Sequence, residues 1–172
     1  MLIRCHTEGH VRSEAVHSDC ESYRYSLTRT WSDRGQKLTF IMLNPSKADE
    51  RKNDPTVERC ERRAKHLACG AFRVVNIFAW RETDPAALRR ASQPIGPDNG
   101  DVLAEAAHWA DLIIAAWGVH GAHLGQGPKA EAHLRSDGHT LHHLGLTKDG
   151  HPRHPLYVSY QTLPKTWAAP HS

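Results

Sequence analysis

The sequence predicts an α/β fold: a three-layer sandwich with a mainly parallel four-stranded central sheet and an N-terminal antiparallel hairpin. Two observations carry this. Short runs such as Leu38–Leu43, Arg73–Phe78 and Leu112–Trp117 are apolar almost throughout, the pattern of strands covered on both faces. Between them lie capped helical segments, and strands that alternate with helices favour a parallel sheet with crossover connections. At 172 residues the chain can bury one such core without disulfide or metal staples.

Residues 1–21 are polar and aperiodic and read as an irregular N-terminal arm; residues 22–172 then form a single α/β domain. Tyr23–Trp31 alternates apolar and polar residues as a half-buried strand does, and Ser32-Asp33-Arg34-Gly35 supplies a turn into the strand Leu38–Leu43. Asp54-Pro55 is an N-cap followed by proline at the first helical position, and Gly70 a stop, which predicts a helix over Pro55–Ala68. Arg73–Phe78 is the next strand. Asp84-Pro85 repeats the cap over a short helix, Pro94–Gly100 is a loop, and Asp101–Ala110 is helical with Leu103, Ala107 and Ala110 inward. Leu112–Trp117 is the third buried strand, Pro128–Arg135 another helix and Thr140–Leu146 a fourth strand.

Composition narrows the function classes. The hydrophobic fraction is 39% and no apolar run nears the roughly 20 residues a membrane span requires; the mean hydropathy of -0.60 agrees. Met1–His10 carries His6, Glu8 and His10 where a secretory leader needs about 7–15 apolar residues, so a cytoplasmic location is expected, with no membrane partner. Cys5, Cys20, Cys60 and Cys69 form no C-x-x-C pair and are expected as reduced thiols rather than metal ligands. A net charge of +3 is compatible with a polyanionic partner without announcing one.

Three segments fall where parallel sheets place their ligands, beyond the carboxyl ends of the strands. They are Asn44-Pro45-Ser46, Asn76 with Phe78 and Trp80, and Trp117-Gly118-Val119-His120-Gly121. Asn76 interrupts an apolar strand with a carboxamide, a group able to read an amide-like edge by donating one bond and accepting another, or to tie down neighbouring backbone. The late segment Lys148–Tyr157 holds His151, Arg153 and His154 between two prolines, which pre-organises them. These histidines suit acid–base work, metal ligation or donation to a developing anion. Arg59, Arg62, Arg63 and Lys65 make one helix basic, either for a nucleic-acid backbone or as a solvated face balanced by Glu58 and Glu61.

Taken together, Phe40–Asp49, Asn53-Asp54-Pro55-Thr56, Val75–Phe78, Ala116-Trp117-Gly118 and Gly150–Tyr157 resemble the domain-of-unknown-function 1643 family, over nearly the whole chain after Tyr23. More distantly the chain resembles the uracil-DNA glycosylase superfamily, in its Asn44-Pro45 strand end, its strand-end Asn76 and its late His-Pro loop. Leu43 stands where that superfamily has glycine, and Arg153 or Leu156 where it has serine. The resemblance implies a uracil-DNA-glycosylase-like fold and an N-glycosidic-bond hydrolase acting on a nucleobase in DNA or a related nucleoside, without metal or organic cofactor. In that reading Asn44 positions water, Asn76 reads the base, and His151 or His154 stabilises the departing base. Pro45, Ser46, Asn53, Phe78, Trp80, Gly118 and Arg153 line the substrate site, and Arg62, Arg63 and Lys148 meet nucleic-acid backbone. The alternatives are a non-catalytic nucleic-acid or nucleotide-binding module, and a metal-dependent hydrolase built from His151, His154, Asp49 and Asp54.

Overall fold

The computed structural model describes residues 1–169 as one eight-stranded mixed sheet with four α-helices. The strands are β1 (Leu2–Glu8), β2 (Val11–His17), β3 (Arg24–Thr30), β4 (Gln36–Met42), β5 (Cys69–Asn76), β6 (Leu112–Ala115), β7 (His142–His143) and β8 (Lys165–Thr166). The helices are α1 (Pro55–His66), α2 (Pro85–Arg90), α3 (Asn99–Trp109) and α4 (Gln126–Ser136). Sheet order is β1-β2-β3-β5-β4-β6-β7-β8. Among the described residues no helix is long and apolar enough to cross a membrane.

The layers follow from side-chain alternation along the strands. On β4, Leu38, Phe40 and Met42 pack with Val57, Cys60 and Ala64 of α1, whereas Ile41 and the following Leu43 pack with α2, α3 and α4 through Leu88, Leu103 and Leu134. Burying each such large side chain stabilises the fold by about 1.5–3 kcal/mol, so both faces of β4 anchor the core. Thr39, fully buried on the second face, donates its hydroxyl to the Ala106 carbonyl at 3.0 Å. Asp54 and Asp84 cap α1 and α2 by accepting from the Val57 and Ala86 amides, each followed by proline, as the sequence predicts.

Three expectations are corrected. First, residues 1–21 are not an irregular arm, because β1 and β2 pair over their full lengths. β1 lies at the sheet edge, exposed along most of its length, and the inward positions of β2 include Ser13 and His17, so no apolar alternation marks them. Second, β3 does not form a hairpin with β4 but pairs antiparallel with β5. The Trp31 and Ser32 amides both donate to the Gly70 carbonyl, and Gly35 lies so close to Gly70 that a Cβ on Gly35 would overlap the Gly70 backbone, while one on Gly70 would overlap the Ser32 carbonyl oxygen. The turn therefore carries the chain across the start of β5 to its far side. Third, the sheet is not mainly parallel: β1-β2, β2-β3, β3-β5 and β7-β8 are antiparallel, against parallel pairings of β4 with β5, β4 with β6, and β6 with β7. The fourth strand is also short, with a single parallel pair between Ile114 and His142.

Among the parallel strands, β5-β4-β6-β7, the first in sequence is second in space. The chain leaves β4 toward α1 on one face and leaves β6 toward α4 on the other. Neighbouring strands whose exits diverge leave a crevice between their carboxyl ends.

Candidate functional site

That crevice holds a cleft of about 680 Å³, and its walls come from five chain segments. Leu43, Asn44 and Ser46 follow β4; Asp54, Pro55 and Thr56 begin α1; Glu82, Thr83 and Pro85 lead into α2; Trp117–His120 follow β6; and Thr147 with Arg153, His154 and Leu156–Val158 close it from the late loop. The volume is in the range of small-molecule and cofactor sites.

Asn44 is held by both of its amide protons. Nδ2 donates to the Glu82 carbonyl at 2.6 Å and to the Pro45 carbonyl at 3.2 Å. Pro45 is buried, and its carbonyl also accepts from the Glu82 amide at 3.0 Å, so the two segments brace each other. With the NH₂ group committed, the acceptor Oδ1 is the group of Asn44 left to serve a water or ligand. At the rim, Ser46 and Thr83 share a hydroxyl hydrogen bond of 2.7 Å.

His154 faces the same cleft from the late loop. Its Nδ1 accepts from the Leu156 amide at 3.3 Å, which puts the proton of the neutral ring on Nε2. Burial pushes its pKa from 6.5 down to about 4, against the opposing pull of the Asp54 carboxylate, so at neutral pH the ring is an uncharged N–H donor. Gly118 supports the loop: its amide donates to the Pro152 carbonyl at 2.8 Å, and its φ of +72° suits glycine alone. Trp117, almost fully buried, forms the floor between Gly121 and Trp167, and a Cβ at Gly121 would run into its indole.

Of the predicted site residues, Asn44, Ser46, Gly118, Arg153 and His154 line the cleft, with Pro45 behind them. The others lie elsewhere. Asn76 is buried at the end of β5, away from the cleft lining, with Nδ2 lacking a partner. Phe78 is fully buried and packs near His123, and Trp80 leans edge-on against Tyr23. Asn53 accepts two bonds from Arg29 and donates to Glu58, so its side chain organises the start of α1. His151 sits on the turn after Thr147, outside the lining. Arg63 is buried and donates to the Val158, Ser159 and Thr162 carbonyls, which removes it from any surface, while Arg62 is exposed beside Glu58 and Lys148 is exposed on the late turn.

The sequence reading missed Thr56, Glu82 and Thr83, and it gave Asp54 only as a helix cap and as a ligand in the metal-dependent alternative. A signal was present: both Asp-Pro caps start helices directly after strand-end segments, so both helix N-termini border the crevice. Among the described residues, no three His, Cys, Asp or Glu side chains gather where a metal ion could sit. His151, His154, Asp49 and Asp54 therefore do not assemble as one ligand set, and Asp49 instead accepts from the Arg51 and Lys52 amides at 2.8 Å.

A family model described as a protein of unknown function, DUF1643, matches residues 24–156. The chain belongs to the DUF1643 family. Comparison with curated proteins and with solved structures gives no significant match. The matched span of this DUF1643 protein begins at β3 and ends at Leu156, so it contains Asn44, both capped helix starts, Gly118 and His154, and leaves out β1 and β2.

Proposed function

We propose that this DUF1643 protein hydrolyses the N-glycosidic bond of a nucleobase in DNA or a related nucleoside. One observation carries the reading: a clamped carboxamide, Asn44, and a neutral imidazole donor, His154, line one largely apolar cleft of base-accommodating size. Asn44 Oδ1 accepts from a water and holds it toward the anomeric carbon. The sugar carbon–nitrogen bond breaks with its electron pair leaving on the base. His154 Nε2–H donates to a base carbonyl oxygen as negative charge grows there, the kind of pre-set donor that favours the transition state over the ground state. Water adds its oxygen to the sugar and its proton ends on the departed base, so sugar–base plus water gives sugar–OH plus base–H. Asn76 has no part in this scheme. The base is read instead by Ser46, Thr83 and Thr147, whose hydroxyls adapt as donor or acceptor.

The test is incubation with oligonucleotides and free nucleosides bearing uracil, 5-hydroxymethyluracil or hypoxanthine, with no metal added. Alkali-labile abasic sites or released base are expected from at least one substrate, with activity surviving chelation. The loss of Asn76 from the cleft favours a second reading, a binding module without chemistry. Intact substrates across the panel, together with saturable binding that Ser46→Ala weakens, would select it.

A further inference from the structure

We propose that the outer edge of β1 pairs antiparallel with β1 of a second copy of this chain, across a two-fold axis at His6. β1 is the terminal strand of the sheet, and no described residue pairs with its outer side. Its register against β2 is unbroken from Leu2↔His17 to Glu8↔Val11. It carries no proline, lysine or bulge, three of the devices that blunt an edge, its charges are one of each sign (Arg4 and Glu8), and Ile3 is 59% exposed on it.

The turn sets which backbone groups point outward. Gly9 and His10 form a two-residue hairpin loop with Gly9 at φ +61°, so the closing pair, Glu8 and Val11, exchanges both backbone hydrogen bonds. Alternation then directs the amides and carbonyls of Leu2, Arg4, His6 and Glu8 toward β2, and those of Ile3, Cys5 and Thr7 outward. A two-fold antiparallel partner must place these outward residues opposite one another.

Three registers satisfy that condition near the middle of the strand. Centred on Arg4, the pairing sets Arg4 against itself. Centred on Cys5, it sets Arg4 against His6. Centred on His6, it sets Arg4 against Glu8 of the second copy, twice, and Cys5 against Thr7. Charge selects the third, because opposite charges directly across non-hydrogen-bonded positions stabilise a pair and like charges destabilise it. Arg4 already donates through Nη2 to Glu21 at 2.6 Å, which fixes its side chain and leaves its other guanidinium nitrogens for the incoming carboxylate. Glu8 has no ion pair among the described residues.

The test is light scattering or sedimentation across a concentration series. The wild-type chain is expected to form a dimer, and Thr7→Pro to be monomeric, since proline removes an outward N–H and leaves the bonds to β2 intact. Arg4→Glu and Glu8→Arg should each weaken self-association about tenfold. Mixed together, these two variants should dimerise with each other, because both cross-axis pairs are again of opposite charge. In a Cys5→Ser, Cys20→Ser background, His6→Cys should give an oxidised dimer across the axis. A monomeric wild type, a dimer that persists in a folded Thr7→Pro chain, or a mixture of the charge variants that stays monomeric would overturn the proposal. Should Thr7→Pro fail to fold, the mixing experiment decides alone.

Discussion

β4 and β5 run side by side, each ends near an asparagine, and the two ends have opposite fates. Beyond Met42 the chain turns away through Asn44-Pro45-Ser46 to α1, and no neighbouring strand fills the space toward β6. Beyond Asn76 the chain bends at Ile77 but stays bonded to its neighbours: the Ile77 and Phe78 amides donate to the Met42 and Leu43 carbonyls, and the Ala79 and Trp80 amides to the Ile95 and Pro94 carbonyls. On the other side the Arg24 amide donates to Ala79, and Asn99 at the start of α3 caps the Asn76 and Ile77 carbonyls. A polar residue at or just beyond the end of an apolar strand therefore lines a cleft only where the topology opens that strand's end. The same chemistry at a sealed end is held in the core.

The largest difference between the two ends should appear on Asn44→Ala. If Asn44 Oδ1 holds the attacking water, base release should fall about 100-fold, the scale seen when one pre-organised active-site hydrogen-bonding group is removed. Substrate binding should change less, because the interaction is made in the transition state. Single-turnover release measured beside equilibrium binding checks the split; equal losses in both would make Asn44 a binding residue.

Asn99→Ala should break the seal over β5 without touching the cleft. It leaves the Asn76 and Ile77 carbonyls, 2.7 and 3.3 Å from Asn99 Nδ2, without that donor in a buried place. The expected cost is about 1–3 kcal/mol in denaturant unfolding, with base release per folded molecule unchanged. An activity loss without a stability loss would mean that the β5 end communicates with the cleft.

A smaller effect belongs to the open end and depends on pH. His154 has a folded pKa of about 4 against an ordinary 6.5, lowered mainly by burial. Between those values the unfolded chain takes up a proton that the native ring refuses, so stability falls as pH drops from about 6.5 to about 4 and the contribution levels off below. Lost stability of roughly 1–2 kcal/mol is expected once the partial exposure of the ring is allowed for. His17 and His143 are also lowered by burial and act in the same direction, so the informative quantity is the difference from His154→Gln, which should be less acid-sensitive. Parallel pH–stability curves for the two proteins would mean that His154 is not held neutral.

Much of this was legible in the residues. Both Asp-Pro caps, the strand cores and the meeting of Asn44 with the late His-Pro loop follow from local chemistry that the fold respects. What was hidden depends on neighbours far away in the chain. β1 and β2 have polar inward or exposed positions because they lie at an edge, and the path of β3 is set by the contact of Gly35 with Gly70, 35 residues apart in sequence. His151 and His154 look alike in sequence, yet only His154 lines the cleft. Arg63 reads as part of a basic face, yet the segment after Val158 folds back over α1 and offers it three carbonyls.

The smallest effect should come from Asn76→Leu. Asn76 Nδ2 is buried and unpartnered, so the native fold already bears the cost of that group, whereas most buried amides are fully bonded. Leucine has nearly the same shape and brings no polar group that needs a partner. Replacing an unsatisfied group by an apolar one of like shape is close to neutral or stabilising. A change within about 1 kcal/mol is therefore expected in denaturant unfolding, together with unchanged base release and unchanged base preference. Asn44→Leu, the same substitution at the open end, should abolish release, because it removes the acceptor from the cleft and takes the Nδ2 donor from the Glu82 carbonyl, while the Pro45 carbonyl keeps the Glu82 amide. If Asn76→Leu instead altered which base is released, the β5 asparagine would reach the substrate by a rearrangement of the sealed end, and the contrast between the two strands would fail.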